Sequence, residues 1–228
     1  MKSLDKLYGL IEWGSRSKSK FYPFGTAMNG MTSRPEAIRQ IIFSLDIAKI
    51  VETGTYRGTT TEWFAQFGIP VETIEISYRF YAFSRQRLRN YKNVKLIRDS
   101  SISYLRDRVQ DGSVSDASRL FYLDAHWLDY LPLKEELELI FANYSQSIVV
   151  VDDFKVEDDH GYGFDNYGEG KALTLDYVAR CKVPPLFSFF PATVSAEETG
   201  IKRGWVVLTA SESAANKLSQ ISLLRRWK

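Results

Sequence analysis

Short, continuous runs of apolar and β-branched residues alternate with helical segments through the middle of this 228-residue chain. Such runs, separated by helices, are typical of parallel strands that are buried on both faces of a sheet. The pattern predicts a doubly wound α/β fold with a mostly parallel sheet. The predicted strands are residues 49–52, 71–76, 94–97, 120–123 and 148–151, and the predicted helices are residues 60–67, 78–90, 102–109 and 131–143.

The two ends of the chain depart from this alternation. Residues 1–31 are predicted to be an irregular or helical extension, and a helix is predicted to begin at Ser33, with Pro35 in its first turn. Residues 186–190 and 205–208 suit an antiparallel pair that closes a seven-stranded sheet, and residues 214–224 suit a last helix. We therefore expect one domain over residues 32–228.

Composition narrows the classes of function. Thirty basic residues against twenty-eight acidic ones leave a net charge of +2, which does not suggest a nucleic-acid-binding protein. No apolar run approaches the ~20 residues of a membrane span. The first residues lack the apolar core of a signal peptide, so we expect a cytoplasmic protein. The lone Cys181 has no partner for a disulfide or a metal site and is expected to be a buried small residue.

An acidic residue ends or follows every strand of the predicted parallel sheet. In such folds ligands bind beyond the carboxyl ends of the strands, which meet at one edge. The acids therefore indicate one polar site at that edge. They are Glu52, Glu75, Asp99, Asp124 and the adjacent pair Asp152 and Asp153.

The loop after the first strand has the spacing of a nucleotide-binding turn. Gly54 and Gly58 let the backbone turn tightly and approach a ligand, although a plain strand-to-helix turn would use the same residues. Glu75, at the end of the second strand, can accept both hydroxyls of a ribose. A dinucleotide site normally has a glycine where this chain has Tyr56, because a pyrophosphate lies against it. The loop therefore favours a nucleoside ligand without a pyrophosphate.

The segments Glu52-Thr53-Gly54-Thr55-Tyr56-Arg57-Gly58 and Thr73-Ile74-Glu75-Ile76 resemble those of class I S-adenosylmethionine-dependent methyltransferases, especially the catechol O-methyltransferase-like branch. The resemblance spans about residues 32–153 and implies a Rossmann-like methyltransferase fold. It implies that Glu52, Gly54 and their neighbours hold the methionine end of the cofactor, that Glu75 holds the ribose, and that Asp99, Ser100 and Ser101 border the adenine. The remaining implied cofactor contacts are Thr53, Thr55, Tyr56, Gly58, Thr59, Thr60, Ile76, Asp124 and His126.

The adjacent acids Asp152 and Asp153 suggest a metal site. Two neighbouring carboxylates repel each other unless a cation or hydrogen bonds compensate, and Asp124 could supply a third oxygen. Three carboxylates favour a hard divalent ion, Mg²⁺ before Mn²⁺ or Ca²⁺. The alternative is that one aspartate caps the following loop while the other is solvated. The three positions match the metal ligands of the catechol O-methyltransferase-like branch.

His126 is the candidate general base, acting with Asp124 as the catalytic pair. The branch has a lysine shortly after its first metal ligand, whereas this chain has none until Lys134, which puts a phenolic acceptor in doubt. An imidazole two residues after a metal ligand titrates near neutral pH and could take the acceptor's proton. The alternative is that His126 stacks on the adenine or packs beside Trp127. Metal-dependent sugar O-methyltransferases of natural-product pathways are similar here, with a histidine just after the first acid.

Residues 158–170 are rich in glycine, aromatic and polar residues, as in a loop that covers an acceptor, although a plain surface loop would look the same. His160, Tyr162 and Tyr167 are its candidate contacts to a small-molecule or glycan acceptor. The sequence thus predicts a metal-dependent sugar O-methyltransferase. The alternatives are a phenol O-methyltransferase, a nucleotide-dependent oxidoreductase and a silent cofactor-binding module.

Overall fold

A computed structural model describes residues 2–15, 26–112, 114, 117–127 and 130–228. Its strands are β1 (Lys49–Thr53), β2 (Val71–Ile74), β3 (Val94–Ile97), β4 (Arg119–Leu123), β5 (Ser147–Asp152), β6 (Phe187–Pro191), β7 (Trp205–Thr209) and β8 (Leu224–Arg226). They form one sheet in the order β3-β2-β1-β4-β5-β7-β6-β8. The strands β1 to β5 pair in parallel, and β7, β6 and β8 extend the sheet with antiparallel pairs.

The doubly wound α/β fold with a closing antiparallel pair is confirmed, but the sheet has eight strands rather than seven. The last predicted helix ends early. Helix α8 (Glu212–Leu218) is followed by a turn, and the tail then returns as β8 against β6. Leu224 pairs with Pro191 and is buried, so β8 adds an apolar side chain to the core.

The described residues form seven further α-helices, of which those between residues 33 and 143 begin and end close to the predicted positions. They are α1 (Lys2–Gly14), α2 (Ser33–Ser44), α3 (Thr59–Ala65), α4 (Tyr78–Leu88), α5 (Ser101–Gln110), α6 (Leu133–Asn143) and α7 (Leu175–Ala179). Strands β4 and β5 are buried along their whole length, as their continuous apolar sequences require. No helix in the described ranges is both long and apolar enough to cross a membrane.

Within the predicted extension 1–31, residues 2–14 form α1, which packs against α4; residues 16–25 lie outside the described part of the chain. Gly9 allows the close approach, because a Cβ there would lie 2.1 Å from the carbonyl oxygen of Arg79. Trp13 packs edge-on against Phe83 with ring centroids 5.3 Å apart. Glu12 accepts a hydrogen bond from Arg79 Nε at 2.9 Å. The α1 helix is thus joined to the domain by both apolar and charged contacts.

Candidate active site

The loop after β1 lies directly against the loop after β4. Gly54 has φ +84°, and a Cβ at this position would lie 2.1 Å from the carbonyl oxygen of Asp124. Only glycine fits such a close approach without moving one of the two loops. Gly58, with φ +74°, precedes α3. The predicted cofactor loop and the first predicted metal ligand are therefore neighbours.

Glu75 holds the tip of the cofactor loop. Its carboxylate accepts hydrogen bonds from the backbone N–H groups of Tyr56 and Ser77, each at 2.7 Å. Burial raises the pKa of Glu75 to about 7, although these backbone hydrogen bonds act in the opposite direction. The side chain thus lies at the carboxyl end of β2, where the ribose of a cofactor is expected.

Glu52 lies beneath the loop in a cluster of threonines. It is buried, and its Oε2 accepts hydrogen bonds from the hydroxyls of Thr61 and, at 2.6 Å, Thr73. Thr73 is in turn 2.6 Å from the hydroxyl of Thr55. Burial raises the pKa of Glu52 to about 7. These bonds fix the loop from below, while a contact between Glu52 and a methionine group stays a prediction.

The predicted adenine border is a capped helix start. Asp99 Oδ1 accepts a hydrogen bond from the N–H of Ser100 at 2.8 Å, and Ser100 Oγ accepts one from the N–H of Ser103 at 3.0 Å. Ser101 is buried at the first position of α5, whereas Ile76, beside Glu75, leaves half of its surface exposed. Ile76 therefore offers an apolar surface for a flat base near the predicted ribose contact.

Asp124, His126 and Asp153 converge at the carboxyl ends of β4 and β5. His126 Nε2 lies 3.9 Å from Asp124 Oδ1 and 3.9 Å from Asp153 Oδ2. This nitrogen is buried and has no hydrogen-bond partner among the described residues. Burial lowers the pKa of His126. Burial and the charges of neighbouring acids raise the pKa of Asp153 to about 7 and that of Asp124 well above its usual value. The cluster thus brings together three electron-pair donors, of which the His126 side chain is buried and the Asp124 side chain is 38% exposed.

Asp152, predicted to be a metal ligand, has hydrogen-bond partners for both of its oxygens in this structure, and its ligand role stays a prediction. Oδ1 accepts hydrogen bonds from the Arg34 guanidinium and from the N–H of Asp153, and Oδ2 accepts one from the hydroxyl of Tyr122 at 2.6 Å. Burial alone would raise the pKa of Asp152, but the Arg34 charge and the hydrogen bonds from Tyr122, Arg34 and the Asp153 N–H together outweigh it, and the pKa is lowered. Asp152 is thus a buried carboxylate that is paired with the buried Arg34.

Arg203 holds the other member of the acidic pair. Its Nε lies 2.5 Å from Asp153 Oδ1, which leaves Oδ2 on the side of His126, and its Nη2 pairs with Asp165. The two adjacent carboxylates are therefore compensated by two arginines, one each. Sequence reasoning missed both, because Arg34 lies in an ordinary helix start and Arg203 lies in a turn-rich stretch. The repulsion between the adjacent carboxylates of Asp152 and Asp153 was the sequence feature that could have predicted nearby cationic side chains.

Of the three predicted acceptor contacts, Tyr167 has a ring contact with His126 of the cluster. Its ring centroid is 6.3 Å from that of His126, and its hydroxyl donates to Asp165, the partner of Arg203. Tyr162 is buried and donates to the carbonyl of Thr193 at 2.9 Å, and its contact with an acceptor stays a prediction. His160 is exposed, and its role stays a prediction.

Several solved structures with a similar fold are O-methyltransferases. A putative O-methyltransferase from Klebsiella pneumoniae matches with a TM-score of 0.60 and 14% identity, covering 89% of both chains. The O-methyltransferase from Bacillus cereus, in complex with SAH, gives 0.59 and 15%, covering 89% of this chain and 90% of that one. This chain has their fold. TomG from Streptomyces achromogenes, an O-methyltransferase in complex with SAM, gives 0.56 and 16%, covering 88% of both chains.

The sequence itself gives no such match. No model of a protein family matches the chain, and no curated protein matches it either. The class I S-adenosylmethionine-dependent O-methyltransferase fold predicted from the sequence is therefore confirmed by the three-dimensional structure, at identities that carry the fold alone.

Proposed function

We propose that this protein transfers the methyl group of S-adenosylmethionine to a hydroxyl oxygen of a sugar or glycan. The observation that carries the proposal is the convergence of Asp124, His126 and Asp153 next to the cofactor loop. Because Gly54 lies against the carbonyl of Asp124, a cofactor in that loop and an acceptor at the cluster would be neighbours. Transfer between two held reactants takes much of its rate from such positioning.

The cofactor would lie along the carboxyl ends of β1, β2 and β3. Glu75, held by two backbone N–H groups, presents a carboxylate for the ribose. Ile76 offers its exposed side chain to the adenine, beside Asp99 and Ser100. Two structures of similar fold contain SAM or SAH, which supports this ligand here. The other residues proposed to line the cofactor are Glu52, Thr53, Thr55, Tyr56, Gly58, Thr59, Thr60 and Ser101.

A divalent cation fits the cluster. The buried Nε2 of His126 has no partner in the described part of the chain, and two carboxylate oxygens lie 3.9 Å from it. Asp124, Asp153 and His126 would hold the ion. When bound, it would supply a Lewis acid that lowers the pKa of an acceptor hydroxyl.

The surroundings of the cluster favour a sugar over a phenol. Tyr167 borders His126 on one side, and Asp165 next to it provides a carboxylate. Trp127 follows His126 with 70% of its surface exposed, so that its indole could stack on the apolar face of a sugar ring. The lysine base of the phenol-methylating branch is missing after Asp124.

The test is a transfer assay with methyl-labelled S-adenosylmethionine and a panel of glycans and phenols, run with Mg²⁺, with Mn²⁺ or with EDTA. We expect label in a glycan only when a cation is present. Transfer to catechols alone would contradict the acceptor class, and equal transfer in EDTA would contradict the cation. Binding of a nicotinamide dinucleotide instead of S-adenosylmethionine, measured by calorimetry, would favour the oxidoreductase.

A further inference from the structure

We propose that His126 is a metal ligand through Nε2, so that Asp124, Asp153 and His126 form a mixed oxygen and nitrogen site for a transition-metal dication such as Mn²⁺, Fe²⁺, Co²⁺ or Zn²⁺ rather than Mg²⁺. This inference rests on the proposed function, in which a cation occupies the same place. It assigns His126 a role other than the general base expected from the sequence, and it replaces Asp152 in the predicted ligand set.

The geometry converges on one point. One ligand atom from each of the three side chains lies within 4.8 Å of the other two. Such separations allow a single ion to contact all three after small side-chain movements, since metal–nitrogen and metal–oxygen bonds are about 2.0–2.2 Å long. The side chain of His126 is 2% exposed and Nε2 has no other partner among the described residues, so the nitrogen points into the cluster and not toward water. A buried imidazole nitrogen without a partner is costly unless a ligand satisfies it.

The arginines limit the carboxylates that can take part. Arg34 holds Asp152, and Arg203 holds Asp153 Oδ1, which leaves Asp153 Oδ2 as the oxygen that faces His126. In the described ranges, Asp124 has an ion-pair contact with His126 alone. The cluster thus keeps one carboxylate without a fixed cation, and it offers three protein ligands with coordination positions left for an acceptor.

The donor set decides the class of metal. Mg²⁺ binds oxygen ligands almost exclusively, whereas imidazole suits Zn²⁺, Fe²⁺ and other transition ions, and Mn²⁺ accepts both. Replacing a third carboxylate by an imidazole therefore lowers the preference for Mg²⁺. The protein's two histidines make this prediction unusually easy to test, because His160 supplies a matched control.

The experiment uses the full chain without a polyhistidine tag, with Mn²⁺ as the probe. Pulsed electron paramagnetic resonance of the Mn²⁺-loaded protein should show coupling to an imidazole nitrogen. The coupling should persist in His160→Gln, where His126 is the only histidine, and disappear in His126→Gln. We also expect Mn²⁺ to bind at least about tenfold more tightly than Mg²⁺ by competition, and about tenfold more weakly in His126→Gln.

The outcomes separate this inference from the proposed function. Bound Mn²⁺ without nitrogen coupling in the wild type or in His160→Gln would overturn the role of His126 and leave a carboxylate-held cation in place. Failure of Mn²⁺ to bind at all would overturn both the ligand assignment and the cation of the proposed function. Calorimetry with S-adenosylmethionine, run in parallel, tests the cofactor independently of the metal. If His126→Gln fails to fold, His160→Gln alone still decides the question.

Discussion

Arg34 is fully buried, and its guanidinium bonds to Asp152, to the hydroxyl of Tyr122 and to the carbonyl of Arg203. It lies in the first turn of α2, 118 residues before Asp152 in the sequence. Its charge also acts on Asp124 and Asp153 of the cluster. At the scale of single residues, this permanent charge turns Asp152 into a structural group. Asp153, whose Oδ2 lies 3.9 Å from His126 Nε2, is the member of the pair that we propose as a ligand.

Replacing Arg34 tests that assignment. Arg34→Met should lower the free energy of unfolding by roughly 3–5 kcal/mol, because it leaves the Asp152 carboxylate buried without its cation. Urea denaturation measures the change. The control is Arg39→Met, which removes an arginine from an exposed pair with Glu36 on the same helix and should have little effect. Equal losses in the two variants would show that the buried pair has no special role.

At the scale of elements, Glu136 connects α6 with α5 and β1 near the predicted adenine border. It projects from α6 and is buried, facing Ser101 at the start of α5 and Thr53 at the end of β1. Burial raises the pKa of Glu136 to about 7, although the hydroxyls of Ser101 and Thr53 act in the opposite direction. Between pH 4.5, the usual pKa of a glutamate, and about pH 7, Glu136 is therefore protonated in the folded protein and ionised in the unfolded chain.

The raised pKa fixes the sign of a pH effect. The stabilisation linked to this proton is complete below the unfolded pKa and is lost as the pH rises through about 7. Glu136→Gln cannot ionise, so from about pH 5 to about pH 8 its stability should rise relative to the wild type by up to about 3 kcal/mol. Denaturation at several pH values measures this, with the exposed neighbour variant Glu135→Gln as control. A constant difference across the range would contradict the raised pKa.

The contact between two loops gives a second prediction at this scale. Gly54→Ala should weaken binding of S-adenosylmethionine by about tenfold or more, because its Cβ would push the cofactor loop away from the carbonyl of Asp124. Gly68→Ala is the matched control. Gly68 also has a positive φ, +73°, but no other part of the chain lies near its Cβ position. Calorimetry should separate the two variants, and similar affinities would contradict a role of the loop contact in cofactor binding.

At the scale of the whole molecule, the sequence predicts the alternating core well and the antiparallel edge less well. Strands β4 and β5 begin and end within one residue of the predicted apolar runs, because burial on both faces of the sheet requires continuous apolar sequence. The eighth strand was missed because only three residues, Leu224–Arg226, form it, and they follow a helix. At the site, acids at strand ends predicted the edge, and the resemblance supplied the cofactor. The direction of each carboxylate depended on arginines from distant parts of the chain, which no local pattern reveals.

We propose that a methyl group is transferred at the cluster of Asp124, His126 and Asp153. The most direct measurement compares wild type, Asp153→Asn and Asp107→Asn, an exposed change on α5, in label transfer from S-adenosylmethionine to the best glycan acceptor. We expect Asp153→Asn to lower kcat about a hundredfold or more while the Kd for S-adenosylmethionine stays within about threefold, because Asp153 serves the acceptor side. Asp107→Asn should match the wild type in both. Transfer at the wild-type rate by Asp153→Asn would show that the methyl group is not transferred at this cluster.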